Sequence, residues 1–180
     1  MKNNYLVIGI LVYLGYILSV KKLNMNLDIL KQKFGSLRTS KFEKVYNALK
    51  NLPLNDLQFK LVLAQVLYET GFFSSTSNVF DLNNNASGII YTGSVAQLKN
   101  NAIKGSKRMK IEGGYYAKFP TLTDWANEHL RVLNRKTMPL MAIDTNDFAT
   151  RLKQNNYYTD GIENYRKGVN MYFNIINKLV

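Results

Sequence analysis

Apolar positions recur at helical spacing through most of this chain, and strict alternation is confined to its middle. Phe42, Val45, Tyr46 and Leu49 lie three and four apart, which predicts a helix over 39–52 with Thr39 or Ser40 as cap and Pro53 as stop. A short helix is expected at Leu27–Phe34, closed by Gly35. Asn55 then caps a strongly apolar stretch, 56–70, ended by Gly71. Leu57, Leu61, Val62, Ala64, Val66 and Leu67 leave that stretch few polar faces, so it is the expected buried central helix. Residues 74–88 are Ser- and Asn-rich, and from Gly88 to Pro120 short β-type runs (89–91 and 115–119) are broken by Gly93, Gly105, Gly113 and Gly114. Helical periodicity returns over 122–135, 146–154 and 162–179. The expected fold class is α+β, mostly α, with a small inserted β-lobe.

The N-terminus has a different pattern. Residues 5–20 read YLVIGILVYLGYILSV without a charge, with Lys2 before them and Lys21 and Lys22 after. At ~1.5 Å per residue this helix would span roughly 24 Å, a little less than a ~30 Å hydrocarbon core, a deficit that terminal Tyr and snorkelling Lys side chains can cover. The exit, Ile17-Leu18-Ser19-Val20, lacks a small-x-small cleavage site, which favours an uncleaved anchor over a signal peptide or a buried core helix. The expected organisation is a membrane anchor at 1–22, a linker with a short helix at 23–38, and a folded domain at 39–180.

Composition narrows the chemistry. The chain has 180 residues, no Cys and one His, which excludes disulfides, thiolate nucleophiles and Cys- or His-rich metal sites, so no metal or cofactor is expected. The formal charge is +12, but Lys is scattered, Arg is sparse and no nucleic-acid-reading motif is present. The field suits attraction to an anionic polymer, and no nucleic-acid partner is expected.

Glu69 stands out among the carboxylates. It falls in the last turn of the predicted central helix, where the helix dipole disfavours an anion, beside apolar Val66, Phe72 and Phe73. Both effects raise the pKa of a carboxyl and keep it protonated near neutrality, as a glycosidase requires of its general acid. A Glu frayed into solvent at a helix end is the plainer alternative.

The run Ala64-Gln65-Val66-Leu67-Tyr68-Glu69-Thr70-Gly71, followed by Phe73-Ser74-Ser75, resembles the A-Q-x-x-x-E-S/T-G-W/F-x-x-S signature of glycoside hydrolase family 73, the peptidoglycan-cleaving N-acetylglucosaminidases. Asn84-Asn85-Ala86-Ser87-Gly88-Ile89 is similar to that family's N-N-x-F-G-I turn, with Ser87 in place of the aromatic. The segment from Tyr116 to Trp125 resembles its strand-to-helix passage, and Tyr157-Tyr158-Thr159-Asp160 with Asn164-Tyr165 resembles its closing Y-A-T-D-P-x-Y-A, with Gly161 for the Pro and an insertion. The four segments fall in family order and cover about residues 40–180. The resemblance implies a lysozyme-like domain whose catalytic helix and β-lobe line a groove, acting on peptidoglycan glycan strands and facing the cell wall from the membrane or from a phage virion. It also implies Glu69 as general acid, Glu112 as the variable second acid on the β-lobe, and Tyr165 near the reacting sugar. Substrate contacts are implied at Gln65, Asn84, Asn85, Tyr116 and Tyr157.

Each assignment has a structural alternative. Glu112, the only acid between Asp81 and Asp124, could be a solvated turn residue beside Lys110. Asn84 and Asn85 could make an Asx turn, and Tyr157 and Tyr165 could be core. Thr121-x-x-Asp124 fits a capping box, and Trp125 and His129, four apart, are expected to pack against the catalytic helix. A membrane-anchored structural or virion protein that binds wall without turnover is the rival reading of the whole.

Overall fold

A computed structural model describes residues 27–74 and 78–179. The apolar segment 5–20 lies outside the described residues, and no helix among those described is long and apolar enough to cross a membrane. The described chain runs α1 (Leu27–Phe34), α2 (Ser36–Leu49), α3 (Asp56–Glu69), α4 (Val79–Asn83), α5 (Val95–Lys99), β1 (Ile103–Lys107), β2 (Tyr115–Lys118), α6 (Leu122–Leu133), a 3-10 turn (Pro139–Met141), α7 (Thr145–Gln154) and α8 (Ile162–Leu179). It is an α+β fold dominated by helices, with one two-stranded antiparallel sheet.

Helix α3 is the axis of the fold. Asn55 and Gln58 form a reciprocal capping box that starts it, and residues from Phe59 to Leu67 are buried apart from Lys60. It packs most extensively against α8, whose Tyr165, Val169, Tyr172 and Ile176 recur at helical spacing as the buried stripe. Gly168 makes this contact close: a Cβ there would lie 2.0 Å from Cε2 of Tyr68.

Helix α2 begins at Ser36, three residues before the predicted Thr39. Thr39 is not its cap; its hydroxyl donates back to the Gly35 carbonyl at 2.9 Å, and Gly35, at φ 82°, allows α1 and α2 to abut. Leu30 of α1 is buried and Phe34 stacks on Phe72 at 3.7 Å, so the packed body reaches N-terminal of residue 39.

The lobe differs most from expectation. β2 matches the predicted run, but its partner is Ile103–Lys107, in register Ile103↔Lys118 and Lys104↔Ala117 with an irregularity before Lys107↔Tyr115. The predicted run 89–91 contributes one isolated bridge, Ile90↔Tyr116, on the other side of β2. Short helices α4 and α5 occupy stretches read as loop. Asn83 ties α4 to β1 by accepting from Ser106 N at 2.8 Å and donating to Ser106 Oγ at 2.7 Å.

Candidate active site

Glu69 closes α3 and reaches solvent across a cleft of about 840 Å³ that separates α3 and α8 from the lobe. Behind it the chain turns sharply. Gly71, Phe72 and Phe73 have φ of 53°, 52° and 55°, left-handed values that cost a non-glycine residue about 1–2 kcal/mol. Burial of both rings offsets this: Phe72 stacks between Phe34 and Phe42, and Phe73 meets Phe80 edge-on at 5.1 Å. The aromatic cluster therefore holds the turn that ends α3 at Glu69.

The Tyr165 hydroxyl donates to Glu69 Oε1 at 2.7 Å. Its ring is clamped by Tyr158, stacked at 3.6 Å and 1°, and by Tyr68, edge-on at 5.0 Å. Burial pushes the Glu69 pKa above its ordinary value, while hydrogen bonds from Tyr165 and Gln65 oppose the shift. The carboxyl is open to the cleft and crowded by protein elsewhere, which combines access with desolvation. Tyr165 itself is held well above its usual pKa by burial and by the Glu69 charge, so it stays a neutral donor.

Glu112 lines the same cleft from the lobe tip, where it pairs with Arg108 at 3.2 Å. The Arg108 guanidinium also lies over the ring of Tyr116, another wall residue, at 5.7 Å. Tyr157 lines the cleft beside Glu69, and burial and the Glu69 charge raise its pKa.

Other candidate residues lie behind the wall. Gln65 is fully buried one turn before Glu69, with both ends of its amide bonded to His129 and Tyr157, so it does not face substrate space. Asn84, at φ 49°, donates to the Phe119 carbonyl at 2.9 Å and is absent from the cleft lining. Asn85 borders the cleft, but its amide donates to Ile89 O and Ala117 O and its oxygen accepts from Ile89 N and Ser87 N. These bonds make it the knot that closes the lobe rather than a free ligand donor.

Asp124 completes a reciprocal capping box with Thr121 at the start of α6. Burial raises its pKa, but bonds from Thr121 and Asn101 outweigh that and hold it below the usual value. Glu128 was not singled out by the pattern. It is fully buried, paired with Arg131 and accepting from Asn100 at 2.8 Å, so this acid pins α6 to the turn after α5. Tyr68, Tyr158, Arg108 and Asp160 also line the cleft; Tyr68, Tyr158 and Asp160 fall in the segments that carry the resemblance but had no role assigned, and no pattern singled out Arg108. Among the described residues no group of three His, Cys, Asp or Glu comes together to hold a metal.

No protein-family model matches the chain, and neither a curated protein nor a solved structure does.

Proposed function

We propose that this chain is a membrane-anchored peptidoglycan hydrolase of the endo-β-N-acetylglucosaminidase type, built on a lysozyme-like domain and acting in wall lysis, including as a virion-associated enzyme. The observation that carries the reading is Glu69: a carboxyl with raised pKa, held by a phenol, at the centre of an open cleft walled by Tyr68, Tyr116, Tyr157 and Tyr158. Aromatic faces suit the apolar faces of pyranose rings, and the cleft volume is within the usual range for a ligand site.

With Tyr165 donating to Oε1, the carboxyl proton resides on Oε2, free to pass to the glycosidic oxygen as the C1–O bond breaks. Glu69 is left as a carboxylate stabilised by Tyr165. Water then adds to C1, and Glu112 is the candidate base, presented on the opposite wall by Arg108. The sugar's own acetamido oxygen is the alternative second group.

The test is lysis of purified cell wall by the full chain in detergent. Glu69→Gln is expected to abolish lysis while the protein still folds, and the parent chain should release muropeptides ending in N-acetylglucosamine at the reducing end. Undiminished lysis by the Gln variant overturns the acid assignment. Binding to wall without any turnover by the parent supports the structural rival instead.

A further inference from the structure

The buried polar groups behind the cleft form a relay that ends on the Tyr157 hydroxyl, with a second bonded pair beside it. On one side, the Gln65 oxygen lies 2.9 Å from His129 Nε2, and the Gln65 amide nitrogen lies 2.8 Å from the Tyr157 hydroxyl. On the other, Trp125 Nε1 donates to Ser87 Oγ at 3.0 Å. Trp125 also stacks on His129 at 5.3 Å and 15°, so this pair backs the relay.

Proton accounting gives the relay a direction. His129 is fully buried, and burial depresses its pKa to about 3, so its ring carries a single N–H. No described residue partners Nδ1. A proton on Nδ1 would be an orphaned buried donor, and it would require a flipped Gln65 amide; a bare Nδ1 leaves only an unmet acceptor, the more tolerated defect. The favoured arrangement has Nε2–H donating to Gln65 Oε1, which turns the Gln65 NH₂ toward Tyr157.

The Tyr157 oxygen then accepts from Gln65, behind the cleft wall. The phenolic hydrogen is thereby turned away from Gln65, toward the cleft that Tyr157 lines.

We infer that Tyr157 is presented to the cleft as a hydrogen-bond donor for an acceptor oxygen of a bound glycan, and that His129, acting through Gln65, is a positioning residue that sets its direction. The inference rests on the reading of this cleft as a glycan site. It also gives a role to the only histidine of the chain, which touches neither Glu69 nor solvent.

Two measurements on the full chain in detergent test it. The single histidine gives an unambiguous long-range proton–nitrogen spectrum, expected to show a neutral ring protonated at Nε2; an Nδ1–H tautomer or a charged ring at neutral pH overturns the relay. The second measures affinity for a soluble N-acetylglucosamine tetramer in a Glu69→Gln background, where no turnover intrudes. Tyr157→Phe and His129→Leu are each expected to weaken binding about ten-fold, the effect of one lost hydrogen bond. The double variant should be no weaker than Tyr157→Phe alone, and His129→Gln, which restores a donor, should bind nearly as the parent. Additive losses, unchanged binding or failure of His129→Gln to rescue overturns the assignment. Gln65→Met carries the same expectation as His129→Leu and replaces it if the latter does not fold. Lysis by the chain with native Glu69 is followed in parallel: its absence, with coupled tetramer binding intact, overturns the hydrolase reading and leaves the donor assignment standing.

Discussion

Gly168→Ala is the sharpest test of how α8 seats the cleft wall. In an open helix this change gains about 1 kcal/mol from propensity alone. Here the new methyl would meet Tyr68 Cε2 at 2.0 Å, Cδ2 at 2.3 Å and Cζ at 2.7 Å. Carbon atoms sit comfortably at about 3.5–4.0 Å, so the ring must retreat by roughly 1.5 Å. It cannot move toward the core, because Tyr165 lies edge-on to it at 5.0 Å and is itself stacked on Tyr158 at 3.6 Å. The ring must swing toward the cleft, or α3 and α8 must separate. Overpacking of this kind costs about 1–3 kcal/mol, which cancels or exceeds the propensity gain. The net expectation is a loss of up to about 2 kcal/mol, a drop in Tm of a few degrees for a domain this size. Thermal and urea unfolding measure it. On a Tyr68→Ala background the clash is gone, and Gly168→Ala should become stabilising by about 1 kcal/mol. Stabilisation of the parent by that amount would show that Tyr68 does not lie against α8.

Three further outcomes are expected. Because Glu69 binds its proton more tightly folded than unfolded, parent stability falls as pH rises from the ordinary Glu value of 4.5 through the raised folded value. Glu69→Gln, which carries no such loss, should match the parent in acid and exceed it increasingly toward neutral pH; a Tm difference that does not grow with pH refutes the shift. Tyr165→Phe keeps the stack on Tyr158 but removes a donor that favours the charged carboxyl, so the Glu69 pKa rises further and the alkaline limb of lysis moves to higher pH; an unmoved or lowered limb counts against the bond. Gly105→Ala would put a Cβ 2.3 Å from Asn83 Oδ1 and 2.8 Å from the Tyr116 carbonyl, neither free to yield, so it should destabilise by about 1–3 kcal/mol and weaken lysis. An unchanged urea midpoint contradicts the close passage of β1 under α4.

Much of the helical frame was legible along the chain because its signals are local. Asn55 with Gln58, and Thr121 with Asp124, announce helix starts by side chains that bond backbone donors three residues away. Leu27–Phe34 before Gly35, and Ile162–Leu179, show their boundaries through apolar periodicity and flanking breakers. The start of α2 was less readable, since Gly35, at φ 82°, lets α1 run directly into it and the Thr39 hydroxyl bonds back to the Gly35 carbonyl within its first turn. β1 was not readable at all: IKGSK has no alternating apolar face, and its strand state is imposed by β2 on one side and Asn83 on the other.

The candidate site divides along the same line. Sequence alone placed the candidate carboxyl, Glu69, at the end of a buried helix, because its position before Gly71 and after a run of apolar residues is a fact of the chain. Only the tertiary structure decided what surrounds that carboxyl. Tyr165, 96 residues away, reaches Glu69, and Gln65 and Asn85 turn inward to hold phenols and backbone rather than outward to a ligand. The reason is physical: a cap or a periodic stripe is written within one or two turns of chain, whereas the partner of a buried polar group is chosen by whichever distant element brings it a donor or acceptor on folding.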